Sequence, residues 1–205
     1  MKAYIFGAAE VNNYSFLDIN DLKKSFIICA DGGIKHLVKL GVKPDIIIGD
    51  FDSSEKMSEY DNVIEYPSEK DDTDLGLAIN YAADNGFSSC IAVGCLGGRL
   101  DHTYANICLM AYAYKKGVRL ELVDEKTRVL LVDSSARIEK SQYKYVSIFS
   151  FDEKSEGIIL DGFKYPLKDA VLNSYYPLGI SNEIKDEFGV IKSKKGKLIV
   201  MLIKE

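Results

Sequence analysis

The sequence predicts an α/β protein: a mostly parallel, Rossmann-like N-terminal sheet with helices on both faces, followed by an all-β sandwich. Three observations predict it. Over residues 1–125, short apolar runs alternate with apolar positions at helical spacing, the pattern of strand–helix–strand units. From about Thr127 onward, strand-like runs succeed one another with little helical spacing between them. Hydrophobic residues make up 47% of the 205 residues, enough to bury a sizeable core in one large domain or two small ones.

The elements follow in order. Tyr4-Ile5-Phe6, Phe26 to Ala30, Ile46-Ile47-Ile48, Val63-Ile64, Cys90 to Val93 and Leu120 to Val123 read as strands. Those that are continuous and β-branched suit strands buried on both faces. A helix opens after Ala30-Asp31-Gly32-Gly33. A second carries Leu75, Ala78, Ile79, Ala82 and Ala83, and a third carries Ala105, Leu109, Tyr112 and Ala113. In the second half, Val129 to Val132, Tyr145 to Phe149, Gly157 to Leu160 and Lys197 to Met201 read as strands. Lys192 to Lys197 reads as a turn joining the last two strands as an antiparallel pair. This change of pattern makes two domains expected, 1–125 and 126–205, and with no repeat or low-complexity linker between them the halves are expected to pack closely.

Lys and Arg number 26 and Asp and Glu 31, for a net charge of -5. That lacks the basic footprint of a duplex-DNA binder, so no nucleic-acid partner is expected. Cys29, Cys90, Cys95 and Cys108 form no CxxC pair. They read as buried free thiols in a reducing compartment. The apolar stretch before Glu10 is too short for a signal peptide. No run approaches the roughly 18 apolar residues of a membrane span. A cytoplasmic protein with no membrane contact is expected.

Charge is unevenly spread. Asp45 to Asp74 holds 11 acids against Lys56 and Lys70, a charge of -9, while the rest of the chain carries +4. Most such runs are solvated faces, but here the acids sit at particular places. Asp50 directly follows the apolar strand, with Asp52 two residues on, in Ile47-Ile48-Gly49-Asp50-Phe51-Asp52, and open α/β sheets bind ligands at the carboxyl ends of their strands. An Asp-x-Asp step in extended chain points both side chains one way. At ~4 Å their repulsion is about 4 kcal/mol for an effective dielectric near 20. A divalent cation removes it, and Mg²⁺ suits one or two carboxylates completed by phosphates. Asp71-Asp72-Thr73-Asp74 leads into the Leu75 helix with more cap-forming residues than one cap needs.

Asp31-Gly32-Gly33 and Gly97-Gly98 each follow a strand and open a helix. Glycine there lets backbone N–H groups approach a phosphate, aided by the helix dipole. Neither is a Walker loop or GxGxxG. Arg99 is a fixed cation suited to phosphate. His102 suits a phosphate or base contact, and His36 sits in the first helical segment with no chemistry assigned to it. Together these residues describe an acidic Mg²⁺ site beside phosphate-binding loops, hence phosphoryl or nucleotidyl transfer. They leave the acceptor open.

With those residues in view, the chain resembles the thiamine pyrophosphokinase family. The resemblance rests on Ala30-Asp31-Gly32-Gly33, on Gly41-Val42-Lys43-Pro44-Asp45 through Gly49-Asp50-Phe51-Asp52-Ser53, on Asp72-Thr73-Asp74, and on Gly97-Gly98-Arg99-Leu100-Asp101-His102. Lys164-Tyr165-Pro166-Leu167 and Ser181-Asn182-Glu183 extend it towards the C-terminus. It implies pyrophosphoryl transfer from ATP to the hydroxyl of thiamine, with AMP leaving. It implies that residues 1–125 bind ATP and that 126–205 bind thiamine and dimerise, with thiamine at the interface of a homodimer. Asp50, Asp52 and Asp74 would hold Mg²⁺, and Asp72 or Asp74 would orient the hydroxyl. Asp31, Gly32, Gly33, Thr73, Gly98, Arg99, Asp101 and His102 would contact the nucleotide, and Ser181 and Asn182 thiamine. The family can stack the thiazolium on an aromatic residue, often Trp. This chain has no Trp, which leaves Tyr165, Tyr175 or Tyr176 for that cation–π contact. A pterin-alcohol pyrophosphokinase and a non-catalytic nucleotide sensor are the competing readings.

Overall fold

In the computed structural model, the described residues are 1–50, 60, 62–67 and 72–205. Contacts divide the chain into two units, Met1–Glu125 and Lys126–Glu205.

The first unit is a parallel sheet with helices between its strands. β1 (Lys2–Phe6), β2 (Phe26–Ala30), β3 (Ile46–Gly49), β4 (Val63–Glu65), β5 (Ser89–Val93) and β6 (Arg119–Val123) lie in the order β4-β3-β2-β1-β5-β6. Every neighbouring pair in that series is parallel. The chain builds outward from β1 through β2, β3 and β4, then returns to set β5 on the other side of β1. The order therefore reverses between β1 and β5, and the crevice at such a reversal is where open α/β sheets bind ligands. Ile46, Ile47 and Ile48 of β3 are all buried, as befits a strand covered on both faces.

The helices are α1 (Ile19–Leu22), α2 (Ile34–Leu40), α3 (Asp74–Asp84) and α4 (Leu100–Lys115), with a 3₁₀ turn over Asp31–Gly33 before α2. In α3, Leu75, Ala78, Ile79 and Ala82 are buried, the stripe that an i, i+3, i+4, i+7 pattern dictates. Gly41 ends α2 at φ 62°, the left-handed cap conformation that glycine adopts without penalty. Cys29, Cys90 and Cys95 are buried free thiols, but Cys108 is exposed, contrary to expectation. Met110 and Ala113 are the buried residues of α4, and Cys108 lies about 200° around the helix from Met110.

The second unit contains β7 (Thr127–Val132), β8 (Ser135–Glu139), β9 (Tyr145–Ser150), β10 (Lys154–Asp161), β11 (Leu167–Asn173), β12 (Gly179–Asn182), β13 (Phe188–Lys192) and β14 (Leu198–Ile203). β12-β9-β14-β7 and β11-β10-β13-β8 are antiparallel series. Alternate residues of both meet in one core, among them Val146 and Ile148, Ile158 and Leu160, and Leu198, Val200 and Leu202. This is the sandwich the sequence predicts.

The Lys192–Lys197 turn is a correction. It does not close a hairpin, because β13 pairs with β8 and β10 while β14 pairs with β7 and β9. It is a corner between sheets. The Ser193 hydroxyl reaches the carbonyls of Lys195 (3.1 Å) and Gly196 (2.8 Å), and its N–H donates to the Ser134 carbonyl at 2.8 Å. A corner and a hairpin turn have the same local signature, and only distant pairing tells them apart. Among the described residues, no helix is long and apolar enough to cross a membrane.

Candidate active site

The loops at the β1/β5 reversal line a cavity of about 420 Å³. Gly7, Ala8 and Ala9 come from the loop after β1, Gly94, Cys95, Gly97 and Gly98 from the loop after β5. Ala30 and Asp50 sit at the ends of β2 and β3, Asp72 to Leu75 at the start of α3, and Arg99, His102 and Asn106 at the start of α4. The sequence-predicted Asp50, Asp72, Thr73, Asp74, Gly98, Arg99 and His102 thus share one cavity. Asp52 lies outside the described residues.

Each wall has a local cause. Thr73 caps α3: its hydroxyl oxygen accepts the Gly76 N–H at 3.1 Å. That places Asp72 just before the cap and Asp74 in the first turn, at the helix end where the dipole favours negative charge. Gly97 and Gly98 adopt φ 79° and 69°, and a Cβ on either would meet nothing within 4 Å. They are glycine for conformation, not for space. α4 holds this loop from beneath: Asn106 donates to the Cys95 carbonyl at 2.8 Å and the Thr103 hydroxyl to the Gly97 carbonyl at 3.1 Å. Burial pushes the Cys95 thiol up to about 12, so this cavity-lining sulfur is a neutral packing group, not a nucleophile.

The other predicted residues take different places. Asp31, Gly32 and Gly33 do not line the cavity but stand behind it. A Cβ on Gly33 would lie 1.9 Å from the Phe6 carbonyl oxygen, so this glycine lets the 3₁₀ turn press against the end of β1. Asp31 adopts φ 42°, a conformation L residues adopt only at a cost. Asp101 also lies outside the lining: its carboxylate accepts the Arg99 Nε at 3.1 Å, a second Arg99 nitrogen at 2.5 Å and the His102 N–H at 3.0 Å. The bonded Arg99 guanidinium holds the Asp101 carboxyl below its usual range. The pair is exposed.

Ser181 and Asn182 belong to the second unit. Ser181 is exposed at φ 57°, and its N–H donates to the Ser147 hydroxyl at 3.0 Å. Asn182 is buried. Its Oδ1 accepts from the N–H groups of Tyr165 (3.0 Å) and Glu183 (2.9 Å), and its Nδ2 donates to the Tyr165 carbonyl (2.7 Å). The amide is a clamp on the backbone beneath the exposed Tyr165.

Sequence reasoning missed Gly7-Ala8-Ala9, Gly94 and Asn106. A signal was available for the first three: three small residues directly after the first strand. Their importance depends on β1 being central, which local patterning does not reveal. His36 was also passed over. It is fully buried, with Nε2 2.9 Å from the Ala9 carbonyl and Nδ1 2.7 Å from the Tyr14 hydroxyl.

Among the described residues, no group of three or more His, Cys, Asp or Glu side chains is gathered closely enough to cage a metal. The donors lining the cavity are Asp50 at the end of β3 and Asp72 and Asp74 at the start of α3. That is too few for an all-protein cage, but it fits an ion such as Mg²⁺, which binds through one or two carboxylates and takes its remaining ligands from phosphates and water.

Residues 21–122 match the thiamin pyrophosphokinase catalytic domain, and residues 135–198 match the thiamin pyrophosphokinase vitamin B1 binding domain. A thiamine pyrophosphokinase of Bacillus subtilis (strain 168) is 33% identical over 184 residues, covering 85% of each chain. The chain belongs to the thiamin pyrophosphokinase family. Solved structures agree. Thiamine pyrophosphokinase from Bacillus subtilis superposes with a TM-score of 0.88 at 27% identity over 100% of both chains. Thiamin pyrophosphokinase from Geobacillus thermodenitrificans gives 0.86 at 26%, covering 100% of this chain and 98% of that one. The catalytic-domain match contains the β3 to α4 walls of the cavity, and the vitamin B1 binding match contains Tyr165, Ser181 and Asn182. In thiamin pyrophosphokinase terms, the first unit carries the acids and glycine loops, and the second the exposed Tyr165, Tyr175 and Tyr176.

Proposed function

We propose that this chain transfers the pyrophosphoryl group of ATP to the hydroxyl of thiamine, giving thiamine diphosphate and AMP. The observation that carries the reading is the cavity at the β1/β5 reversal. It combines Asp50, Asp72 and Asp74 with the Gly97-Gly98 loop and Arg99, in a chain of the thiamin pyrophosphokinase family. The first unit is the nucleotide and catalytic domain, and the second binds thiamine.

Carboxylates and polyphosphate repel in one cavity, so the site needs a cation. Asp50 and Asp74, joined by Asp52, would hold Mg²⁺. When bound, the ion supplies charge neutralisation at the phosphates. The residues of the chain do the rest. Gly97 and Gly98 turn backbone N–H groups to the phosphates, and Arg99 offers a fixed cation at the rim, with Asp101 and His102 beside it. Asp31, Gly32 and Gly33 support the floor. Thr73 fixes Asp72 and Asp74 through its cap. Asp72 or Asp74 accepts a hydrogen bond from the thiamine hydroxyl and aims its oxygen at the β-phosphorus. The new O–P bond forms as the bond from that phosphorus to the α,β-bridging oxygen breaks. AMP leaves with the bridging oxygen, and the hydroxyl proton passes to the carboxylate and on to water. An alcohol is a far weaker acid than Asp, so alignment contributes more than proton removal.

In the second unit, Tyr165, Tyr175 and Tyr176 are 59%, 79% and 63% exposed, accompanied by Leu178 and Ile180. An exposed aromatic ring suits a cationic thiazolium, and Asn182, next in sequence to Ser181, holds the backbone at Tyr165. Each unit also exposes apolar side chains, Leu100 and Tyr104 on α4 among them. Such surfaces suit a homodimer whose interface holds thiamine. Four free cysteines suit the reducing cytoplasm.

The test is product analysis after mixing the protein with ATP, Mg²⁺ and thiamine. AMP equal to thiamine diphosphate, abolished by EDTA, is expected. ADP with thiamine monophosphate, turnover of a hydroxymethylpterin in place of thiamine, or ATP binding without thiamine-dependent turnover would overturn the reading.

A further inference from the structure

His36 lies on α2, outside the cavity lining, yet it touches both loops that form the cavity's centre. Its Nε2 is 2.9 Å from the Ala9 carbonyl. A carbonyl only accepts, so Nε2 carries the hydrogen, and Nδ1 accepts from the Tyr14 hydroxyl 2.7 Å away. The ring is fully buried, and burial weakens its basicity, which keeps it in this neutral tautomer. Beside the Nε2 contact with Ala9, a Cβ on Gly94 would lie 2.8 Å from Nε2, 3.1 Å from the Ala9 carbonyl oxygen and 2.4 Å from the Gly7 carbonyl oxygen. Residue 94 is therefore glycine partly because the imidazole occupies that space. The two loops are themselves joined, Gly7 N–H to the Val93 carbonyl and Ala9 N–H to the Gly94 carbonyl, each at 2.8 Å. The ring is wedged where the loop after β1, the loop after β5 and α2 meet.

We propose that His36 is a positioning residue for nucleotide binding: its imidazole ties the Gly7–Ala9 loop to α2 and sets the spacing between that loop and Gly94. The inference rests on reading the cavity as the ATP site. Displacing a cavity wall by a fraction of an ångström degrades several phosphate contacts together, because each depends on donor distance. His36 itself touches no substrate. Its effect is confined to the nucleotide side, since its partners all belong to the first unit.

The experiment compares His36→Leu, His36→Gln and Tyr14→Phe with the wild type. The readouts are KM for ATP, KM for thiamine, kcat, and the Kd of α,β-methylene-ATP, all at a temperature where circular dichroism shows each variant folded. His36→Leu fills the space but leaves the Ala9 carbonyl without its donor. An unmade buried hydrogen bond of this kind corresponds to about a tenfold rise in nucleotide Kd, with KM for thiamine unchanged. His36→Gln returns an N–H near the Nε2 position and recovers most of the loss. Tyr14→Phe removes only the hydroxyl that fixes the tautomer and produces a smaller rise, so the inference stays testable even if His36→Leu does not fold. A lowered Tm with unchanged ATP parameters per folded molecule would overturn the inference and leave His36 a packing residue. Equal rises in both KM values would also overturn it. Gly98→Ala separates the two levels. If it too leaves the ATP parameters unchanged, the cavity itself is not the nucleotide site. If it raises KM for ATP while His36→Leu does not, only the positioning role fails.

Discussion

Gly33→Ala is the substitution whose outcome the geometry constrains most tightly. Gly33 has φ -62° and ψ -18°, which alanine adopts readily, so backbone preference alone makes the change harmless or mildly favourable. Space dictates otherwise. The new methyl would stand 1.9 Å from the Phe6 carbonyl oxygen, 2.5 Å from the Phe6 carbonyl carbon and 3.2 Å from the Gly7 nitrogen. Relief requires a shift of roughly 1 Å or more between the 3₁₀ turn and the end of β1, and β1 is fixed by parallel pairing with β2 on one side and β5 on the other. Overpacking of this kind costs about 3 kcal/mol, the upper part of the usual range, because backbone must move. That lowers Tm by roughly 6–12 °C at about 2–4 °C per kcal/mol for a chain of this size. The displaced atoms lead directly into Gly7-Ala8-Ala9, so catalytic efficiency falls by up to about 100-fold even in the folded fraction. Gly41→Ala is the control: at φ 62° its methyl meets nothing within 4 Å, so it loses about 1 kcal/mol for conformation alone and keeps its activity. Differential scanning calorimetry with steady-state kinetics reads both. A Gly33→Ala protein with Tm within 2 °C of wild type and normal kcat/KM for ATP would refute this reasoning.

Other predictions concern separate features. Thr73→Ala removes the cap of α3, destabilises by about 1 kcal/mol and lowers kcat by loosening Asp72 and Asp74, whereas Thr73→Ser does neither; urea unfolding and single-turnover kinetics measure both. Asn182→Ala strips the partners from two N–H groups and one carbonyl, costs about 2–4 kcal/mol and raises KM for thiamine without changing KM for ATP. Iodoacetamide labels one thiol of the folded protein, Cys108, and four after denaturation, read by intact mass. Cys29, Cys90 and Cys95 have pKa values raised from 9.0 to about 12 by burial. The unfolded state therefore loses those protons first. Stability is undiminished below about pH 9 and falls between pH 9 and 12, approaching roughly 1.4 kcal/mol per pH unit for each thiol. Replacing Cys90 by Ala removes one of the three equal thiol contributions to that slope, measured by chemical denaturation at each pH.

Much of the fold is legible in the sequence because burial writes a continuous pattern. The Ile46–Ile48 run can only be a strand covered on both sides, and Leu75, Ala78, Ile79 and Ala82 can only face a core as a helix. What is not legible depends on pairing at a distance. Tyr4-Ile5-Phe6 looks like any short strand, and nothing local places it at the centre of the order. The same gap hides Gly7-Ala8-Ala9 and leaves His36 looking incidental. The acids Asp50, Asp72 and Asp74 were visible because excess charge at a strand end and a helix start has no cheap structural explanation. Asn182 was visible by resemblance, while its use as a backbone clamp was not: three hydrogen bonds to residues 165 and 183 leave no mark in composition or spacing. Cys108 was misjudged because α4 is apolar on more of its circumference than it buries.

The corner at Ser193–Lys197 has a consequence for synthesis. β14 lies between β7 and β9, yet it follows both in the chain, β7 by more than sixty residues. As the polypeptide emerges from a ribosome, β7 and β9 wait with bare edges on facing sides of an empty slot, while β8, β10 and β13 can already pair. One half of the sandwich can form early, and the other only when its central strand arrives. Bare strand edges invite pairing with other chains, and long-range closure of this kind is slow. The interval between the emergence of β9 and that of β14 is therefore when a nascent chain is most exposed to aggregation. Slow codons or a stalled ribosome before residue 198 would prolong that interval.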